Sequence, residues 1–255
     1  PPLPAEINTV EELFLTGSRI QQFYNPTLNA MDYYSEALKR DPMDIRTNTA
    51  VGKTFLLNGD YLKAREHLAR AIKRLTRDYT RPSDCEALYL QGIVLKELGL
   101  TDAARDTLYR ASWDFKWHAP SCLELARISA AEHNYPKALE EVERSLSSNA
   151  INNSALCLKA ALLRKKADFI GALGLLIPLL QKDPLDFRAQ NELYLVYLES
   201  ARPDQALSHL QYLNRQMRDF SQNYLELAAG YARDGLLIEA GEVLHRFRGT
   251  DPIVD

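Results

Sequence analysis

The sequence predicts an all-α fold of stacked helix pairs, seven of them in succession. Three observations carry that prediction. Seven alanines, Ala30, Ala64, Ala104, Ala138, Ala172, Ala206 and Ala240, recur at intervals of 34 residues, with a single interval of 40. Four residues beyond each alanine stands an apolar side chain (Tyr34, Leu68, Leu108, Val142, Leu176, Leu210, Leu244), which marks one face of a helix. Glycines and prolines fall in phase between these stripes. A fixed period of this length is the mark of stacked supersecondary units that bury their apolar faces only against each other.

Residues 1–10 form a leading linker, where Pro1-Pro2-Leu3-Pro4 reads as extended chain. The repeat units are 11–44, 45–78, 85–118, 119–152, 153–186, 187–220 and 221–254, and an insert at 79–84 accounts for the long interval. With the alanine placed at position twenty, position eight is small in most units: Ser18, Gly52, Gly92, Ala126, Ala160 and Ala228, with Tyr194 the departure. Two small positions let the helices of a pair approach closely. Gly59, Gly99 and Gly235 stand where first helices end. Asp41-Pro42-Met43-Asp44, Asp183-Pro184-Leu185-Asp186 and Asp251-Pro252 stand between units; the Pro cannot continue a helix and the Asp after it can cap the next. Of the nine prolines beyond the N-terminal tail, eight map to boundaries, first turns or the insert, and Pro178 alone lies inside a helix, which it should kink or loosen. The first helix of the first unit is the weakest match, since Gly17 and Gln21 occupy positions that are apolar elsewhere; a shifted boundary is expected there.

The chain has 255 residues, 46% hydrophobic and 25% charged, with a formal net charge of −3. That apolar content supports a sizeable core and excludes disorder. No global basic excess is present to hold nucleic acid or an anionic membrane. The apolar runs, such as 174–180, stop far short of the roughly 20 residues a membrane span needs. Three cysteines in a chain of this size do not suggest a disulfide framework. A first residue other than Met suggests a processed chain or an excised fragment. The expected compartment is the cytoplasm, with a signal peptide on a longer parent left open.

Period, small positions, apolar positions and breakers together resemble the tetratricopeptide repeat (TPR) over essentially the whole chain. The resemblance implies a right-handed solenoid of antiparallel helix pairs. Three further segments, 113–117 (Trp-Asp-Phe-Lys-Trp), 148–153 with 158–164, and 183–187 (Asp-Pro-Leu-Asp-Phe), look like the repeat region of a bacterial multidomain family of unknown function. In that family such repeats follow a mutarotase-like β-sandwich domain.

No enzyme signature emerges. His67, His118, His133, His209 and His245 do not pair with another ligand at a zinc spacing, and packing or surface roles are favoured. Cys85, Cys122 and Cys157 fall on or near first helices and read as buried core thiols. Gly52-Lys53-Thr54 mimics the end of a phosphate loop but lacks the upstream Gly, and Gly52 is the repeat's small residue. Catalytic residues, metal and cofactor are therefore all expected to be absent.

The resemblance implies that first helices line a concave groove through positions two, five, nine, twelve and thirteen. The candidate partner-binding residues there are Arg19, Arg46, Thr49, Lys53, Tyr89, Lys96, Arg127 and Asn191. Glu86 and Glu97 oppose the cations. Such a groove suits an acidic peptide or a carboxylate terminus, although a solvated face with ordinary ion pairs reads as well. The chaperone-type carboxylate clamp is absent, because position five never carries Lys. Trp113 and Trp117, four apart, are expected to share a helical face and pack against the insert or the next first helix. Solenoids normally need end caps, and none follows the last unit. An uncapped end would let a second copy stack.

The expected function is a non-catalytic scaffold that binds a protein or peptide, or the β-sandwich domain of the parent chain, with no nucleic acid and no membrane as partners. The alternative is a regulatory or positioning module of a larger carbohydrate-active or sugar-binding bacterial protein.

Overall fold

The computed structural model describes residues 1–78, 82 and 84–249. The structure is all-helical among these residues. A short 3-10 turn, Pro4–Glu6, precedes fourteen α-helices. They pair as α1 (Val10–Gln22) with α2 (Ala30–Arg40), α3 (Ile45–Leu57) with α4 (Tyr61–Leu75), α5 (Glu86–Glu97) with α6 (Thr101–Ala111), and α7 (Phe115–Ala131) with α8 (Tyr135–Ser148). Then come α9 (Asn153–Lys165) with α10 (Phe169–Lys182), α11 (Phe187–Glu199) with α12 (Pro203–Met217), and α13 (Ser221–Arg233) with α14 (Leu237–His245). The chain divides into two compact units, Pro1–Ser121 and Cys122–Asp255, and the division falls within α7.

Each pair closes on its small residues. A Cβ built on Gly52 would lie 2.7 Å from Leu68 Cγ, and one on Gly92 2.6 Å from Leu108. Glycine is required there because any side chain would collide with the apolar stripe of the second helix. In the first pair Gly17, not Ser18, takes this role, 2.6 Å from the Tyr34 ring. The register of α1 is thus shifted by one residue, the deviation anticipated from Gly17 and Gln21. Gln21 has its own reason to be polar. Its side-chain carbonyl accepts a hydrogen bond from the Tyr34 hydroxyl (3.1 Å) and its amide donates to Thr54 (3.2 Å). The position-twenty alanines are buried except Ala30, which starts the shortened α2.

Turn chemistry follows the sequence in part. Asp44 and Asp186 cap α3 and α11, accepting from the backbone N–H of Thr47 (2.8 Å) and Ala189 (2.9 Å). Position fifteen of units two to seven is left-handed throughout: Gly59, Gly99, His133, Ala167, Ala201 and Gly235, with φ between 58° and 76°. In the first unit Tyr24 (φ 47°) stands one residue early, again the α1 shift. Polar side chains stitch three junctions to the following helix. Asn48, Gln190 and Asn223 each donate to the carbonyl six residues back, at 3.0, 2.9 and 3.0 Å.

Two expectations are corrected. Pro120 is not at a boundary or in a first turn but inside α7, which begins at Phe115. Asp114 starts that helix early, its carboxylate accepting from Lys116 N–H (3.1 Å) and its carbonyl from Trp117 N–H (3.0 Å). Trp113 and Trp117 consequently do not share a helical face, since Trp113 precedes the helix. Trp117 packs as expected: its indole N–H donates to Asp84 of the insert (2.9 Å) and its ring stacks on Tyr89 at 4.9 Å. Pro178 lies within α10, which continues to Lys182. Residues 79–81 and 83 of the insert, and the Asp251-Pro252 junction, lie outside the described residues.

Candidate functional site

In the N-terminal unit, α1, α3 and α5 border an open cavity of about 590 Å³. Helical spacing places Arg46, Thr49 and Lys53 of α3 on one stripe along it. Phe14 and Ser18 of α1 and Glu86 of α5 face the same space. The Arg46 guanidinium lies 4.9 Å over the Phe14 ring and 3.1 Å from Glu11. That hydrogen bond holds the Glu11 carboxyl below its ordinary value and lifts Arg46 above its own. Lys53 Nζ lies 3.4 Å from Glu86. Both cations remain about half exposed, at 47% and 51%. Pairs of that kind contribute little to stability and exchange readily for other carboxylates. The Thr49 hydroxyl is engaged by its own helix, donating to the Ile45 carbonyl at 2.7 Å.

The remaining predicted groove residues of this unit lie elsewhere. The one-residue shift of α1 turns Arg19 away; it lines a separate depression of about 480 Å³ with Leu15, Phe23 and Glu12. Tyr89 is half-buried under Trp117, and Lys96 lies 3.5 Å from its neighbour Glu97 with only 20% of its side chain exposed.

The C-terminal unit treats the same positions differently. Arg127 is buried. Its Nε donates to Asp234 (2.9 Å), its Nη1 to Glu124 and its Nη2 to Ser154 (3.0 Å). Arg188 stacks on Tyr231, 3.4 Å from the ring centre, with Nη2 3.0 Å from Asp234. Arg164 is the hub, its side chain 1% exposed. It donates to Glu192 (3.0 Å), to Glu239 (2.9 Å) and to Glu199. Lys165 joins Glu239 at 2.5 Å. Asn191 is also internal, donating to the Tyr231 hydroxyl (2.6 Å) and accepting from Arg246. Burial alone would depress Arg164 and raise Glu239. The carboxylates around Arg164 instead lift it above the ordinary guanidinium value, and the hydrogen bonds from Lys165 and Arg164 hold Glu239 below the ordinary carboxylate value. Beside this network a slot of about 230 Å³ stays open at Arg188 and Gly230.

Sequence reasoning missed this network. Apart from the local Arg127–Glu124 pair, its members meet across 27 to 107 residues, beyond any local pattern. One signal was present: Arg164 ends an apolar run (158–163 broken only by Lys159), and Glu239 interrupts the apolar stretch 236–240.

The three cysteines are buried, and burial pushes the Cys122 and Cys157 thiols up, away from an activated thiolate. Among the described residues no group of three or more His, Cys, Asp or Glu is arranged to hold a metal ion, and no helix is long and apolar enough to cross a membrane.

No family model matches the sequence. Solved structures share its fold. A tetratricopeptide repeat protein from Parabacteroides merdae superposes with a TM-score of 0.67 at 14% identity, covering 96% of this chain and 95% of that one. PilF of Pseudomonas aeruginosa gives 0.67 at 21% identity, over 84% of this chain and 97% of that one. YrrB, described as a TPR protein with an unusual peptide-binding site, gives 0.57 at 16% identity, over 74% and 94%. The fold is therefore that of the tetratricopeptide helical repeats.

Proposed function

We propose that this chain is a protein-binding scaffold in which the N-terminal cavity receives a peptide segment, while the groove positions of the C-terminal unit are filled by that unit's own ion pairs. The single observation that carries the reading is the contrast at equivalent positions. Arg46 and Lys53 are half exposed beside an open cavity of about 590 Å³, whereas their counterparts Arg188 and Arg127 are largely buried in internal ion pairs, with side chains 14% and 9% exposed. A partner carboxylate can replace Glu11 or Glu86 at the former without stranding a buried charge. Phe14 supplies an aromatic wall. YrrB, a structural neighbour, is described as binding peptide on this type of fold, which supports the reading. Thr49, with its hydroxyl engaged, serves as floor, and Arg127 and Asn191 serve structure.

Selection of random displayed peptides on the intact chain tests this. Selected peptides should be rich in Asp and Glu, and should bind the Arg46→Glu, Lys53→Glu double variant more weakly by roughly tenfold or more. Equal binding to that variant overturns the reading. The alternative, a positioning module beside a sugar-active β-sandwich domain, rests on the resemblance of segments 113–117, 148–153 and 183–187 alone. It is tested by sugar-directed activity of a parent protein with and without the repeats.

A further inference from the structure

The helix pairs of units two and six share a side-chain device, and only one of them is complete. In unit two Phe55 stacks on His67, with centroids 5.6 Å apart, and His67 Nδ1 pairs with Asn48. An ammonium also lies over the Phe55 ring: Lys63 Nζ is 5.3 Å from its centre and is paired with Asp60 at 2.7 Å. In unit six the same positions carry Tyr197 and His209, at 6.1 Å but edge to face (74°, against 24° in unit two), with His209 Nε2 on the Gln190 carbonyl at 3.1 Å and Arg202 at the position of Asp60. Tyr212 adds a further ring 6.1 Å from the imidazole. The position of Lys63 is taken by Gln205, which has no charge to offer. An open cavity of about 530 Å³ remains, bordered by Tyr197, Asp204, Gln205, Ser208, His209 and Tyr212.

The chemistry of this cavity favours a cation. Aromatic faces present negative charge, and a primary ammonium over such a face is attracted to it. Asp204 supplies a carboxylate on the first turn of α12. His209 adds no competing charge at neutral pH, because burial holds its imidazole below the ordinary value. Arg202, the exposed residue before α12, does not border the cavity. At 100° per residue Tyr197 lies on the face of α11 opposite Arg188 and Glu192, so the cavity is separate from the ion network.

We propose that this cavity is a second recognition site, which accepts the ε-ammonium of a lysine side chain from a partner protein in the place that Lys63 fills within unit two. The test titrates the intact chain with n-butylammonium chloride, the lysine head group, and follows two-dimensional NMR signals. Sodium chloride and 1-pentanol serve as controls for ionic strength and for apolar contact. Saturable shifts are expected at Tyr197, His209 and Tyr212 with the ammonium and not with the alcohol. Tyr212→Ala and Asp204→Asn should each weaken binding by roughly threefold or more, the scale of an exposed cation–π contact. Gln205→Lys should abolish the response by filling the site from within, and its folded spectrum keeps that result interpretable. The proposal is overturned by absent or unsaturable shifts in the unmodified chain, by equal response to 1-pentanol, or by undiminished response in Gln205→Lys.

Discussion

The two units of this chain use one repeat pattern to opposite ends. In the N-terminal unit the groove positions of α3 carry half-exposed cations in loose pairs around a cavity. In the C-terminal unit groove positions carry arginines whose carboxylates arrive from other repeats, and only a slot of about 230 Å³ stays open beside them. The lesson is that an arginine at a groove position does not by itself signal a binding surface. What decides is whether its counter-charge lies nearby and buried, or is left to solvent and partners. Breaking a buried pair costs about 3–5 kcal/mol, against about 0–1 for an exposed pair.

The turns show a parallel contrast. The N-terminal unit has one left-handed non-glycine turn residue, Tyr24, followed by Gly59 and Gly99, whereas the C-terminal unit places His133, Ala167 and Ala201 at that position before returning to Gly235. A left-handed non-glycine residue costs roughly 1–2 kcal/mol. The C-terminal unit therefore carries backbone strain that its ion network and packing must offset.

The sharpest way to break the comparison is Arg164→Met. It should destabilise the C-terminal unit by about 3–5 kcal/mol, because Glu192 loses its close buried counter-charge and Glu239 keeps only Lys165. Denaturant unfolding, read with probes in each unit, checks this; a loss under about 1 kcal/mol would place the network with ordinary surface pairs. Next in size is Gly17→Ala, where overpacking against Tyr34 should cost about 1–3 kcal/mol while Ser18→Ala costs far less. The reverse order would remove the one-residue shift of α1, and with it the reason Arg19 leaves the groove. The smallest effect is a gain. Ala167→Gly should stabilise by about 1 kcal/mol through relief of the left-handed strain, as measured by thermal unfolding.

Much of the fold was legible because its causes are local and periodic. Ala64 and Gly52 announce a close helix pair, and Asp44 and Asp186 announce helix starts. The left-handed turns at His133, Ala167 and Ala201 were not legible, since those residues carry no intrinsic preference for that conformation and only the repeat frame imposes it. The site was half legible. Arg46, Thr49 and Lys53 follow from helical spacing and do border the cavity. Arg19 was misplaced because a single-residue slip at Gly17 rotates every following side chain of α1 by about 100°. Arg127 and Asn191 were read as surface because their partners, Asp234 and Tyr231, stand 107 and 40 residues away.

Arg164 has one more consequence. Repeat arrays are usually extended or trimmed one unit at a time, since each repeat answers only to its neighbours. Here a guanidinium on α9 is shared among carboxylates on α11 and α14. With the Arg127–Asp234 pair joining α7 to the end of α13, the last four units are thus a fixed-length cassette. Deleting the final one would remove Glu239 and Asp234 together, leaving Arg127, Arg164 and Arg188 each short of a counter-charge. Shortening by a single repeat, harmless in a modular array, would here be felt as far as three repeats away.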